Sequence, residues 1–242
     1  MNRIKLVALL AMLPALAFAQ GITGTRHDLA SGSATLGPKA TTNTQTCIFC
    51  HTPHKSAAQA LIWNHNLIAG TRGWSTASTS SNTPLPAAIS AVSARCLACH
   101  DGTVGLGDVN NVGNGTAGTI VMTGVVSTGY QVGTGLAGNE MLNNHPISIP
   151  YAGATYLTRV SGTTTTGTFN YQQAVPTGCD TPSGWCTAAA ANGIRIYLYG
   201  TAEANVGIEC GSCHEVHNKY GGSYFLRASA NGSQICLACH EK

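Results

Sequence analysis

Four copies of the pentad C-x-x-C-H constrain this chain more than any other feature of its sequence. The pentads occupy residues 47–51, 96–100, 210–214 and 236–240. Two cysteines at this spacing offer two sulfurs to the two vinyl groups of a haem, and the histidine that follows lies beneath the ring as an iron ligand. We therefore expect four covalently attached haem c groups, one for each pentad.

The pentads supply cysteines for thioether bonds and histidines as proximal iron ligands. The cysteines are Cys47, Cys50, Cys96, Cys99, Cys210, Cys213, Cys236 and Cys239. The proximal histidines are His51, His100, His214 and His240. Structural zinc held by two cysteine pairs is a weaker interpretation, since it gives no reason for a histidine after every pair. A redox-active C-x-x-C site is weaker still, because such a site needs one pair on a thioredoxin-like frame.

Residues 1–19 have the features of a secretory signal peptide. Arg3 and Lys5 precede an apolar stretch that ends in small residues. Pro14 interrupts this stretch, which is too short for a membrane span, and no other stretch is long enough after the leader is removed. We expect residues 20–242 to form a single exported tetrahaem domain, because haem attachment to thiols takes place outside the cytoplasm.

The remaining composition limits the possible partners and the size of the core. Cys179 and Cys186 lie outside the pentads, and we expect them to form a disulfide in an oxidising compartment. Without the leader the chain has ten basic and nine acidic residues, so nothing points to nucleic acid. With 6% aromatic residues and 29 glycines the side chains make a poor core. Haem is expected to supply the missing apolar burial.

The order of motifs in residues 47–101 recurs in residues 210–241. Each stretch reads C-x-x-C-H-x-x-H, followed by C-L-A-C-H and an acidic residue. Pentads resemble one another by necessity, but necessity does not explain the additional histidines at matching positions, His54 and His217. The sequence therefore predicts two dihaem units on either side of a Gly- and Thr-rich insert, residues 102–209.

Regular secondary structure is expected to be sparse. The predicted fold class is that of a multihaem cytochrome c, mostly irregular coil with short helices near the haem motifs and a few short β-strands around four stacked haems. The pattern predicts a helix around residues 87–98 and strands at 119–126 and 194–199. Residues 102–115 are rich in Gly and Asn, and residues 161–168 are rich in Thr and Gly, which indicates surface loops.

Each iron needs a second axial ligand on its far face unless it keeps an open site. Beyond the leader, Met122 and Met141 are the only methionines, whereas five histidines lie outside the pentads. Two histidines on every iron is therefore the economical assignment. The expected distal ligands are His27, His54, His145 and His217. His65 has no counterpart in the second unit and is the expected spare, hydrogen-bonded to a haem propionate or exposed at the surface, and it remains the alternative distal ligand.

His54 and His217 each follow a proximal histidine by three residues. A side chain so close in sequence stays on the same side of its own haem, so each of them is expected to bind a different iron. This short tether would bring neighbouring haems into near contact. Close haems are what rapid electron transfer requires.

Several short strings outside the cysteine pairs add a resemblance to a known group. They are G-T-R-H-D-L at 24–29, C-H-T-P-H at 50–54, L-I-W-N-H at 61–65, C-H-D-G at 99–102 and N-H-P-I at 144–147. With the closing pentads, they resemble exported multihaem c-type cytochromes of metal-respiring bacteria, including tetrahaem cytochromes of the outer surface that form filaments.

The resemblance implies extracellular electron transfer through a head-to-tail polymer of copies of this chain. Redox partner cytochromes and extracellular acceptors such as metal oxides are the other implied partners. In that family a neighbouring subunit can donate a distal histidine, and His27 is the first candidate for this role because it precedes the first haem unit.

Three functions compete at this stage. The leading hypothesis is an electron conduit that is not an enzyme and lies outside the cell or on its outer surface. A soluble periplasmic tetrahaem shuttle is the alternative. A haem-based reductase of nitrite or hydroxylamine would need an iron without a protein ligand on its reactive face. The surplus of histidines argues against that enzyme.

Overall fold

The computed structural model describes most of both haem units and parts of the insert between them. The described residues are 21–35, 37–56, 60–67, 89–102, 104–124, 131–132, 144–150, 155–160, 163–168, 185–189, 195–199 and 207–236. The predicted leader, the Cys179 half of the predicted disulfide, Cys239 and His240 lie outside these residues, and only the backbone of Cys186 is described. Within the described residues, no helix is long and apolar enough to cross a membrane.

Two short helices carry the second and third pentads. Helix α1, Ala91–His100, ends with the second pentad, and helix α2, Cys210–Cys213, contains the cysteines of the third. The hydroxyl oxygen of Ser90 accepts a hydrogen bond from the Val92 amide at 3.2 Å, which caps the start of α1. The helix predicted around residues 87–98 is therefore confirmed, with its boundaries shifted by a few residues.

The described residues also contain ten strands, most of them two residues long. In chain order they are β1 Lys39–Ala40, β2 Asp108–Val109, β3 Gly118–Thr119, β4 Met122–Thr123, β5 Ile149–Pro150, β6 Thr155–Val160, β7 Thr163–Thr168, β8 Trp185–Ala189, β9 Arg195–Tyr199 and β10 Gly207–Ile208. Strand β1 forms an antiparallel pair with β4, as β2 does with β3 and β6 with β7. The other four strands form one sheet in the order β5, β10, β9, β8. The predicted architecture, mostly irregular with short helices and small sheets, is confirmed.

Two predictions about the insert need correction. Residues 161–168 were expected to form a surface loop, but β7 pairs with β6 over six residues, from Thr155 opposite Thr168 to Val160 opposite Thr163. Threonine is β-branched and fits a pleated strand, which outweighs the loop character of its neighbours. The strand expected at 119–126 is split into β3 and β4, with residues 125 and 126 outside the description. Strand β9 confirms the prediction for 194–199 over its described residues.

A small apolar cluster surrounds the first pentad. It consists of Ala40, Ile48, Phe49, Val109 and Ile120. Fully buried Asn64 connects the segment that carries Ile48 to the segment that carries Asn111. Its side-chain amide donates to the carbonyl oxygens of Ile48 at 2.6 Å and Asn111 at 3.0 Å. Residues 102–115 are therefore not simply a surface loop as predicted, since Val109 and Asn111 are buried here.

A buried polar network connects the second and third pentads. The hydroxyl of Ser93 in α1 donates to a carboxylate oxygen of Glu209, and the amide of Cys210 donates to the Ser93 oxygen at 3.1 Å. The hydroxyl of Ser148 donates to the same carboxylate oxygen at 3.0 Å. Because buried polar groups need partners, this network fixes α1 against α2.

Candidate haem ligand sites

A loop of equal length follows the first pentad of each unit, and we call these the pentad loops, residues 51–63 and 214–226. The first closes through an antiparallel bridge between His51 and Trp63, the second through one between His214 and Leu226. The flanking backbone hydrogen bonds correspond one to one. They are Thr52 to Ile62 and Asn64 to Cys50 in the first unit, and Glu215 to Phe225 and Arg227 to Cys213 in the second, at 2.7–2.9 Å.

The two pentad loops also share their unusual backbone conformations. Non-glycine residues with positive φ occur at three matching positions, Lys55, Leu61 and Ile62 in the first loop and Asn218, Tyr224 and Phe225 in the second. This conformation is unfavourable for L-residues and persists only where the surroundings impose it. The predicted duplication therefore extends to the backbone, at positions where the side chains are not similar.

The proximal histidines of both loops are oriented by their own loop. Nδ1 of His51 lies 2.7 Å from the carbonyl oxygen of Leu61, and Nδ1 of His214 lies 2.9 Å from that of Tyr224. A carbonyl oxygen only accepts, so Nδ1 carries the proton and Nε2 keeps its lone pair for a metal. A second-sphere hydrogen bond of this kind fixes the tautomer and the direction of a metal-binding imidazole.

His51 and His217 face each other across the two units. Their ring centroids are 6.2 Å apart and their planes differ by 13°. A metal–nitrogen bond is about 2 Å long and the ring centre lies about 1 Å beyond the nitrogen, so two imidazoles on one metal have centres about 6 Å apart. The separation of His51 and His217 fits one iron between them.

His27 and His100 form a second pair with similar spacing. Their ring centroids are 5.9 Å apart, and the ring of His27 also stacks on that of Phe225, with centroids 4.5 Å apart. Burial, together with the neighbouring His100, lowers the pKa of His27 to about 4. The ring is therefore neutral at physiological pH, as an iron ligand must be. The structure thus brings His27 to a proximal histidine of its own chain.

His54 and His145 are exposed, and their relation to an iron is less direct. Nδ1 of His145 lies 2.7 Å from the carbonyl oxygen of Pro146, which places the ring proton on Nδ1. The backbone of His54 is held by Thr52 and Asn111, whose side chains both donate to its carbonyl oxygen, at 2.8 and 3.0 Å. The backbone of His54 is therefore anchored and the ring of His145 is oriented, and both rings are exposed.

His65 is fully buried, so the expected surface setting for it is wrong. Its Nε2 lies 3.9 Å from the sulfur of Cys99, and its Nδ1 has no hydrogen-bond partner among the described residues. Burial lowers the pKa of His65 and favours the neutral ring. The side chain therefore lies beside an attachment cysteine of the second pentad.

The attachment cysteines of successive pentads lie near one another. Burial, reinforced by the Cys50 thiol, raises the pKa of Cys99 to about 12. The neighbouring Cys210, together with burial, raises the pKa of Cys96, and the neighbouring Cys96 lowers the pKa of Cys210. In the third and fourth pentads, Cys236 adds to the effect of burial in raising the pKa of Cys213. A described thiol of each pentad thus lies near a thiol of the next pentad, from the first pentad to the fourth.

Apolar side chains beside the proximal histidines are exposed in the protein alone. Leu61 is 62% exposed and Tyr224 is 72% exposed. The backbone carbonyl oxygen of each orients a proximal histidine. A haem bound by the adjacent pentad would offer an apolar surface to such side chains. Cysteine pairs, oriented imidazoles and facing second histidines together fit haem c. Among the described residues, no group of three or more metal-ligating side chains is clustered as a separate metal site.

The sequence predicted candidate ligand histidines but not the residues that orient them. The positions of Leu61 and Tyr224 carry no signal in their residue type, although each lies at the same distance after a proximal histidine. Glu215 was also missed, and its carboxylate contacts the ring of His217 at 3.0 Å. The sequence sign of that contact is an acidic residue two positions before the histidine.

Comparison with known families supports the same class. Residues 202–242 match the family model described as a doubled CXXCH motif, which covers the whole second unit. The match indicates a multihaem c-type cytochrome with covalently attached haem, and such proteins carry electrons. No curated protein sequence matches the chain.

Proposed function

We propose that this chain is a tetrahaem electron conduit in which every iron is bound by two histidines, similar to the outer-surface filament cytochrome OmcE. The observation that carries the proposal is the facing pair His51 and His217, whose centroid separation of 6.2 Å fits a shared iron. Two imidazoles on one iron leave no site for a substrate, which favours electron transfer over catalysis.

The facing pairs and the repeat lead to one assignment of distal ligands. His217 is proposed for the iron of His51, and His27 for the iron of His100. Because the two units repeat, His54 of the first unit is in turn assigned to the iron of His214 in the second. His145 then remains for the iron of His240, and His65 is the spare. This assignment uses His27 within its own chain and replaces the expectation that a neighbouring subunit receives it.

Haem, when bound, supplies an iron that takes up and releases one electron. The described residues favour that role in three ways. The pentad loops hold the proximal rings in one tautomer, the proposed distal rings close the opposite side, and the attachment cysteines of successive pentads lie near one another. Histidine as both ligands also lowers the reduction potential relative to a His–Met iron.

The proposed setting is outside the cell or on its outer surface, with copies of this chain joined head to tail. Redox partner cytochromes and extracellular acceptors such as metal oxides are the proposed partners. A soluble periplasmic shuttle would use the same ligands without a polymer. Negative-stain electron microscopy of native material separates the two, because filaments support the conduit and single particles support the shuttle.

Haem content and spin state test the electron-transfer proposal. Pyridine haemochrome analysis is expected to give four haems per polypeptide, and electron paramagnetic resonance of the oxidised protein is expected to show only low-spin iron. Carbon monoxide should not bind the reduced protein. Fewer than four haems, or ready binding of carbon monoxide, would contradict a conduit and favour an enzyme with an open iron site.

A further inference from the structure

The described parts of the two pentad loops share their closing bridge and their positive-φ positions, but they carry different residues directly after the proximal histidine. Thr52 in the first loop corresponds to Glu215 in the second, since each directly follows its proximal histidine. Two residues later the loops carry His54 and His217. The repeat therefore offers a natural comparison between a distal histidine preceded by a hydroxyl and one preceded by a carboxylate.

Glu215 is held firmly against the ring of His217. One carboxylate oxygen lies 3.0 Å from Nδ1 of His217 and also accepts from the His217 amide at 3.2 Å. The other carboxylate oxygen accepts from the Lys219 amide at 2.7 Å. The Glu215 side chain is only 13% exposed, whereas the His217 ring is 60% exposed. The carboxylate is thus fixed by the backbone, and the contact with the ring does not depend on a flexible side chain.

Thr52 makes different use of the same position. Its hydroxyl donates to the carbonyl oxygen of His54 at 2.8 Å and accepts from the side-chain amide of Asn111 at 2.9 Å. These bonds hold the backbone of the first loop. A threonine has no charge to offer to an imidazole, so the two distal histidines differ in their electrostatic surroundings.

A carboxylate that accepts a hydrogen bond from the outer nitrogen of an iron-bound imidazole makes that ligand more basic. A more basic ligand stabilises ferric iron relative to ferrous iron, and hydrogen bonding of this kind is one means by which proteins set haem potentials. We propose that Glu215 tunes the iron shared by His51 and His217, making it harder to reduce than the iron assigned to His54. This inference rests on the proposed ligation of that iron by His217.

The proposal implies a difference in reduction potential between these two irons. An electron shared between the two irons would favour the one without a carboxylate behind its distal ligand. Glu215 acts here as a positioning residue, since it reaches the iron through His217. Both proximal rings bond to a carbonyl oxygen of their own loop, and the difference proposed here is the carboxylate at the distal ring of His217.

Glu215→Gln in the haem-loaded protein tests the inference, because it keeps the shape and removes the charge. Spectroelectrochemical titration is expected to show one of the haem couples shifted to a more positive potential by about a tenfold change in its reduction equilibrium, which is about 59 mV for one electron. One low-spin signal in electron paramagnetic resonance should shift with it. Asp108→Asn is the matched control, since it removes one exposed carboxylate bonded to Thr119 and should leave that signal unchanged.

The outcomes separate this inference from the proposed function. Four low-spin haems with unchanged potentials in Glu215→Gln would overturn the tuning role and leave the conduit intact. A His217→Ala protein with four unaltered low-spin haems would instead overturn the ligation on which both rest. Should Glu215→Gln fail to assemble, Glu215→Asp keeps the charge with a longer contact, and a smaller positive shift of the same couple is expected. An unchanged couple in that variant also overturns the inference.

Discussion

His51 and His217 belong to different halves of a duplicated motif, yet their imidazole rings lie 6.2 Å apart and only 13° from parallel. Each ring has its outer nitrogen occupied, His51 by the Leu61 carbonyl oxygen and His217 by the Glu215 carboxylate. Both rings therefore keep Nε2 for a metal. The relationship connects the two pentad loops, because the iron attached to the first pentad is proposed to take its second ligand from the second loop.

Removing the distal ring should open one iron and leave the other haems unchanged. In His217→Ala, the iron of the first pentad is expected to become high-spin and to bind carbon monoxide when reduced, since nothing else is assigned to its far face. Optical and electron paramagnetic resonance spectra measure both effects. Lys219→Ala, in the same exposed turn, is the control and should remain fully low-spin.

Replacing the side-chain amide of Asn64 by a hydrogen-bond acceptor should destabilise the protein. In Asn64→Asp, an oxygen would replace the amide that donates to the Ile48 and Asn111 carbonyl oxygens, so two buried acceptors would lose their donor. At about 1–3 kcal/mol for each unsatisfied group, the free energy of unfolding should fall by about 2–6 kcal/mol. Guanidinium unfolding of the haem-loaded protein measures this loss.

The matched control for that change is Asn114→Asp. Asn114 is exposed, and its side-chain oxygen only accepts, from the amide and hydroxyl of Thr116. A carboxylate keeps this capacity, so the free energy of unfolding should change by less than about 0.5 kcal/mol. Equal losses in the two variants would show that Asn64 does not connect the first pentad to its cluster.

The second pentad loop leaves no space for a side chain at Gly222. A Cβ added there would lie 2.5 Å from the carbonyl oxygen of Leu226, which closes the loop through its bridge to His214. Gly222→Ala is expected to destabilise the protein by about 1–3 kcal/mol through overpacking. Gly32→Ala, with no atom within 4 Å of the added Cβ, should be neutral when both are compared by denaturant unfolding.

Acid should weaken the protein through His27. Burial and His100 lower the pKa of His27 from 6.5 to about 4, so the unfolded chain binds this proton first as the pH falls. The stability contributed by the neutral ring is fully present above pH 6.5 and is lost as the pH falls towards 4. The free energy of unfolding of the haem-loaded protein, measured with denaturant, should therefore be constant above pH 6.5 and fall between pH 6.5 and 4. An unchanged free energy of unfolding over that range would contradict a buried neutral ring.

The sequence predicted the parts of this fold that depend on residue type and spacing. The pentads, the helix leading into the second of them and the duplication all follow from local patterns. Helix α1 confirms the predicted helix, and the bridges that close the two pentad loops lie at matching positions. The facing of His51 and His217 could not be predicted in the same way, because it depends on how two distant segments pack. The sequence indicated only that a histidine three residues after a proximal ligand must serve another iron.

The predictions that failed did so where composition misled. Threonine-rich residues 163–168 were assigned to a loop from their glycine and serine neighbours, although β-branching favours the strand that forms. His65 was expected to be the spare histidine because it lacks a counterpart, and to be bonded to a haem propionate or exposed at the surface. The surface setting is wrong, because the contacts of neighbouring Asn64 hold that segment inside. Burial of a polar side chain depends on such tertiary partners, which spacing does not reveal.

Cryo-electron microscopy of the haem-loaded protein, at a resolution that separates side chains, tests the shared iron most directly. The account predicts continuous density from Nε2 of His51 through the iron of the first pentad to Nε2 of His217 in the same chain. Density joining that iron to His54, to His65 or to a histidine of another copy, with His217 facing solvent, would contradict it.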